Sequence, residues 1–227
     1  MSIWVLDPFG GGSESGYIGK DGVKESDIVL EAVLEAKRHL ERNGEKVYVT
    51  RNSDRYIDID EREKLINQYK AEVLVIFHMS NDDNNKNING VKVVIENDEE
   101  DGMYLAQLIE SEMQSQLRIE SKGIVFEEGP YKSVNCKTIV VYGEYLSCEN
   151  SMEKFDNKKY GYAVAKACLA YKDKVLLEEP KSEPKKTQKR SYRVCIGYYK
   201  DYDTAMDEVI KLNKEGIMDA YVVPYEG

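Results

Sequence analysis

Apolar and polar positions along the chain change period repeatedly, and each change marks an element. Ile3 to Leu6 is a short apolar run ended by Asp7-Pro8, which predicts a buried strand running into a loop. Glycines at 10, 11, 12, 16, 19 and 22 crowd that loop. From Asp27 the period becomes helical, with Ile28, Val29, Ala32, Val33, Ala36 and Leu40 on one face. Ser26 or Asp27 stands where a helix is capped, and Gly44 where one ends. Lys46 to Thr50 alternates as a strand, Ile59 to Tyr69 is helical, and Glu72 to Phe77 is apolar after its first residue, as a strand covered on both faces is. Val91 to Ile95 and Thr138 to Val141 predict further strands, and Leu105 to Leu117 and Lys158 to Tyr171 further helices. Strands alternating with helices predict an α/β domain, a mainly parallel twisted sheet with helices on both faces.

The pattern breaks after this domain, which spans residues 1–174. Residues 175–191 contain Glu178 to Ser191, with two prolines, many charges and almost no apolar positions, and read as a linker. Residues 192–227 regain a pattern: Tyr192 to Tyr198 alternates, Thr204 to Leu212 is helical and Ala220 to Val223 is again apolar. That is one small β-α-β unit. No internal repeat is visible.

Composition narrows the classes. Of 227 residues, 41% are hydrophobic and 33% charged, an ordinary globular balance. The formal net charge of -10 argues against nucleic acid and against a basic membrane-binding surface. The basic stretch Lys181 to Arg190 reads as solvated linker. Cys136, Cys148, Cys168 and Cys195 have no C-x-x-C spacing, so they read as thiols rather than as a zinc ribbon or disulfide framework. The start lacks the basic and apolar regions of a signal peptide. The expectation is synthesis in the cytoplasm, with any access to a cell wall coming through lysis or another route.

Open parallel sheets place their sites beyond the carboxyl ends of strands. Polar residues follow apolar runs at Asp7, at His78 and at Tyr142-Gly143-Glu144, and Glu25 lies just ahead of the first long helix. Each has a plainer role open to it. Glu25 suits a helix N-terminus, and His78 suits a strand end. Gly10-Gly11-Gly12 lacks the Lys-Ser/Thr of a phosphate loop, and Asn81 to Asn89 suits a polar loop.

These residues, in order, resemble the N-acetylmuramoyl-L-alanine amidase family of zinc-dependent cell-wall hydrolases. Leu6-Asp7-Pro8-Phe9-Gly10-Gly11-Gly12 is similar to the family's I-D-P-G-H-G-G opening, and Gly16-Tyr17-Ile18-Gly19, Gly22 and Glu25 fall at its next signature positions. Thr50-Arg51-Asn52-Ser53-Asp54, the helix with Ile59, Arg62 and Asn67, the strand from Ala71 to His78, and Leu146-Ser147 follow in the family's order. The resemblance implies a zinc ion held by His, Glu and His, a water in the open position, and a catalytic Glu. It places the second and third ligands at Glu25 and His78. Gly10 occupies the first ligand position and Tyr142 that of the catalytic Glu, and neither supplies the needed group. The only other histidine, His39, lies in Lys37-Arg38-His39-Leu40-Glu41, a stretch expected to be solvated. Glu144, two residues past Tyr142, is the candidate substitute carboxylate. Asp7, Arg62 and Asn81 are the candidate substrate-groove residues. Zinc is expected to bind weakly or not at all.

Tyr192-Arg193-Val194-Cys195-Ile196-Gly197-Tyr198-Tyr199, the helix, and Gly216 with Ala220 to Val223 resemble the first half of a SPOR domain, a module that binds peptidoglycan glycan strands. The resemblance implies glycan contacts from Tyr192, Tyr198 and Tyr199, although Cys195 stands where the pattern has Gln. Half a module buries little core, so a homodimer or docking onto the first domain would complete it. Three functions follow: a catalytically impaired amidase homologue that binds peptidoglycan or a partner, an active phage-type zinc amidase with a rearranged ligand set, or an assembly protein that reuses the fold.

Overall fold

A computed structural model describes residues 3–96, 100–177 and 199–214. The chain divides into two compact units, Met1–Glu179 and Pro180–Gly227.

In the first unit the described strands form one six-stranded sheet in the order β2-β1-β3-β6-β4-β5. The strands are β1 (Ile3–Pro8), β2 (Lys46–Val49), β3 (Val73–Ser80), β4 (Val91–Ile95), β5 (Ser121–Phe126) and β6 (Lys137–Tyr145). All neighbours pair in parallel except β4 and β6, which are antiparallel. The α/β fold and mainly parallel sheet expected from the pattern are therefore present.

The period of two along β3 assigns its side chains to two cores. Val73, Val75 and Phe77 enter the larger one, with Trp4, Leu6 and the buried faces of α1 (Glu25–Arg42), α3 (Glu100–Leu117) and α5 (Asn157–Tyr171). Leu74 and Ile76 enter the smaller one, with Val5, Val94 and Val140. It is covered by Ile66 and Tyr69 of α2 (Ile59–Tyr69) and by Tyr131, Val134 and Cys136 of the segment before β6. Both faces carry helix, but much of the second is closed by irregular chain.

Several boundaries differ from the pattern. α1 begins at Glu25, and Lys24 at its N-cap makes no side-chain capping bond. Ser26 and Asp27 lie inside the helix because the Ile18–Lys24 bridge delivers extended chain directly to Glu25. β3 and β6 run past their apolar runs into polar residues, since His78 pairs with Tyr142 and Ser80 with Tyr145. The edge strand β5 has no clear apolar alternation and escaped the pattern. His39 is buried, not solvated: it is 4% exposed and its ring meets Tyr162 edge-on at 5.1 Å.

A 3-10 turn (Lys20–Gly22) and α4 (Glu149–Met152) in the first unit, and α6 (Tyr202–Lys214) in the second, complete the described elements. The expected strands at 192–198 and 220–223 lie outside the described residues. Among the described residues no helix is long and apolar enough to cross a membrane.

Candidate functional site

Asp7 ends β1 and is completely buried. Its carboxylate accepts from Thr50 Oγ1, Arg62 Nη1 and the Tyr131 hydroxyl. Burial works against the Arg62 charge, but the Asp7 carboxylate outweighs it and holds the guanidinium above its usual pKa. Burial and Asp7 push the Tyr131 phenol up, so it stays a donor. Asp7 and Arg62, at 0% and 3% exposure, therefore support the site from beneath and do not line a groove.

The next three carbonyls are taken by two guanidinium groups. Arg62 donates to Pro8 O at 3.1 Å and Gly10 O at 2.6 Å. Arg51 donates to Pro8 O at 3.0 Å and Phe9 O at 2.9 Å, and reaches Ser26 O in α1 at 2.8 Å. Burial, with Arg62 nearby, lowers the Arg51 pKa to about 10, which leaves it cationic at neutral pH. Gly10 has φ +67° and Gly12 φ +60°, in the left-handed region. Gly11 N bonds Glu14 O at 2.6 Å, folding the loop tightly. A Cβ on Gly10 would sit 2.5 Å from that Glu14 carbonyl oxygen.

Glu25 and His78 do meet. Glu25 Oε1 lies 2.8 Å from His78 Nδ1 and 2.8 Å from the Met79 amide, and Oε2 accepts from the Tyr17 amide at 3.0 Å. The imidazole packs against two rings, Phe9 at 3.8 Å and Tyr142 at 5.0 Å between centroids. Lys92 Nζ sits 4.6 Å above the Tyr142 ring and pairs with Glu127 at 3.6 Å. Burial, and then Glu127 and Glu25, raise the Tyr142 pKa, so its hydroxyl is protonated at neutral pH.

Glu144 is held elsewhere. One residue separates His78 from Ser80 while two separate Tyr142 from Tyr145, so β6 carries a bulge there. The Tyr160 hydroxyl pins it by donating to Val141 O at 2.6 Å, and Gly143 is needed because a Cβ would meet the Tyr160 ring at 2.7 Å. The extra residue breaks the alternation that would have carried Glu144 beside Tyr142. Fully buried, Glu144 accepts from Gly90 N at 2.6 Å, Tyr145 N at 2.8 Å and Ser151 Oγ at 2.6 Å. A carboxylate so saturated joins β4, β6 and α4 and is not a substitute catalytic group.

Beside the Glu25–His78 pair an open cleft of about 350 Å³ is walled by Gly16 to Lys20, with Asn81, Leu146 and Ser147 among its other lining residues. Ion pairs Lys20–Glu149 at 2.8 Å and Lys86–Asp83 at 3.1 Å also lie along it. A larger concavity of about 480 Å³ is formed by α1 and Lys158, and neither it nor the cleft is lined by Asp7, His78, Tyr142 or Glu144. Tyr192 and Tyr198 lie outside the described residues, and Tyr199 is exposed. Phe9, Tyr131 and Tyr160 were not singled out from sequence. Phe9 alone had a signal, a bulky ring inside a glycine run.

Among the described residues no three His, Cys, Asp or Glu side chains are grouped to hold a metal ion. Glu25 and His78 are two donors, and Gly10 and Tyr142 add none.

Residues 5–170 match the model of a family described as N-acetylmuramoyl-L-alanine amidase. The chain is 36% identical over 77 residues to the N-acetylmuramoyl-L-alanine amidase AmiC of Escherichia coli, covering 34% of this chain and 18% of that protein. It is 31% identical over 121 residues to the probable cell wall amidase LytH of Staphylococcus epidermidis, covering 52% of this chain and 39% of that one. The matches thus span well under half of these relatives. Among solved structures, the amidase AmiC2 of Nostoc punctiforme superposes with TM-score 0.70 at 22% identity, covering 76% of this chain and 98% of that one. An amidase from Clostridium difficile 630 does so with TM-score 0.70 at 24% identity, covering 76% and 97%. These likenesses establish the fold.

Proposed function

The chain belongs to the N-acetylmuramoyl-L-alanine amidase family, and from that premise we propose a peptidoglycan-directed member with impaired hydrolysis that acts by binding wall material or a partner. The family's zinc, when bound, supplies an activated water and polarises the amide carbonyl. A catalytic zinc takes three protein ligands and leaves one position open. The residues present here do not fit it.

The observation that carries this reading is the backbone at Gly10. The first ligand is not merely shortened, because the left-handed turn and the Glu14 carbonyl occupy the space a side chain would need. Tyr142 supports the same reading. A protonated phenol held between His78 and Lys92 does not replace a carboxylate as acid and base. The cleft walled by Gly16 to Lys20 remains for wall material, with aromatic, amide and charged groups along it. The half-SPOR-like segment with Tyr192, Tyr198 and Tyr199 is proposed to add glycan contacts, alone or through a dimer.

The test is purified full-length protein mixed with purified sacculi, assayed for co-sedimentation and for clearing. We expect protein in the pellet without release of L-alanine-linked peptides. Clearing with such release would establish an active amidase with a rearranged ligand set. Neither binding nor clearing would leave the assembly role.

A further inference from the structure

The side chains of Glu25 and His78 are 1% and 12% exposed, and both carboxylate oxygens of Glu25 take part in hydrogen bonds. A carboxylate only accepts, so His78 Nδ1 carries the proton between it and Glu25 Oε1 at 2.8 Å. This spacing is that of a charge-assisted hydrogen bond. The Met79 amide shares the same oxygen. The other oxygen accepts from Tyr17 N at 3.0 Å, while Glu25 N donates back to Tyr17 O at 2.9 Å. Glu25 thus grips Tyr17 at both backbone groups. Gly16 lies directly on the carboxylate, where a Cβ would come within 2.4 Å of Oε2. The Phe9 and Tyr142 rings pack against the imidazole, at 3.8 and 5.0 Å between centroids.

These bonds join the first turn of α1, the end of β3 and the loop ahead of α1. That loop is the cleft wall, Gly16 to Lys20. We infer that Glu25 and His78 form a metal-independent latch, a positioning pair that fixes the Gly16–Lys20 wall of the neighbouring cleft. The latch stands on the geometry alone, and only what the cleft receives rests on the wall-binding reading. A metal site and a latch need different things from His78. A metal needs a ring nitrogen lone pair, whereas the latch needs one N–H donor at the place of Nδ1. An asparagine side-chain amide offers that donor and is a poor zinc ligand.

The test uses the full chain, with trypsin cleavage at Lys20 and Lys24 under native conditions as the report on the wall. His78→Phe keeps a ring against Phe9 and Tyr142 and removes the donor. Glu25→Gln puts an amide NH2 among the donors. Both are expected to be cut roughly tenfold faster than the parent, the effect of losing one charge-assisted bond. His78→Asn is expected to recover much of the protection. Zinc chloride and EDTA are expected to leave cleavage and the melting temperature of the parent unchanged. The latch is overturned if His78→Phe is cut no faster than the parent. It is equally overturned if zinc protects the parent and His78→Asn behaves as His78→Phe does. Sacculus binding is measured on the same samples, so loss of binding with an intact latch would count against the wall-binding reading alone.

Discussion

At Gly10, where the family resemblance implies a ligand, the backbone constrains the position before side-chain chemistry does. A non-glycine residue in the left-handed region costs about 1–2 kcal/mol, and here a Cβ would also press on Glu14 O at 2.5 Å. The loop cannot easily yield, since Arg62 and Arg51 hold the carbonyls of residues 8 to 10. Gly10→His is therefore expected to lower the unfolding free energy by about 1–3 kcal/mol in urea titrations. Gly10→His with Tyr142→Glu is expected not to clear sacculi, whereas replacing the whole 9–14 loop with the family's sequence opens the position. Clearing by the double variant would show that Glu14 moves aside. The absence of donors at Gly10 and Tyr142 was legible in the sequence because it depends on residue type alone. The positive φ was legible only as a glycine run. The saturation of Glu144 was not legible, because it depends on a bulge set by Tyr160, eighteen positions from Tyr142 in the sequence.

Elements with a long apolar period were the most legible. Ile59–Tyr69 and Val91–Ile95 fall where the pattern puts them, because nearly every residue in them is decided by which side faces a core. The segment between β5 and β6 has no such period, yet it closes much of the smaller core. It is fastened by discrete bonds: Glu63 accepts from Lys132 N at 2.7 Å, Asn67 donates to Ser133 O at 2.7 Å, and the Tyr131 hydroxyl reaches Asp7. Such bonds leave no periodic trace, so Tyr131 was invisible while its partner Asp7 was not. Tyr131→Phe removes the donor on one buried Asp7 oxygen and is expected to cost about 1–3 kcal/mol. Arg62→Met leaves that carboxylate without its cation and is expected to cost more, roughly 3–5 kcal/mol. Urea midpoints measured for both variants check this order, and equal or reversed losses would mean that the segment is held mainly by its apolar contacts.

For the whole molecule the question is where the first unit stops. Apolar pattern fades near residue 174, but the bonding continues further. Leu176 is 7% exposed within the larger core, and Leu177 N donates to Asn43 Oδ1 at 2.9 Å. Lys174 pairs with Glu45, whose other oxygen accepts from Trp4 Nε1 at 3.0 Å. Burial works against the Glu45 charge, but Lys174 and Trp4 outweigh it and hold the carboxyl below its usual range. A depressed pKa means that this clasp stabilises the fold above the ordinary glutamate value and is lost as pH falls through the lowered one. A chain ending at Glu179 is therefore expected to unfold at the same midpoint as the full protein. One ending at Asp173 loses Leu176 burial, about 1.5–3 kcal/mol, together with the clasp. The gap between the two fragments should narrow in acid, because only the clasp component titrates there. Melting curves of both fragments at neutral and acid pH decide the matter. Equal midpoints at neutral pH would move the boundary back to where the hydrophobic pattern alone had drawn it.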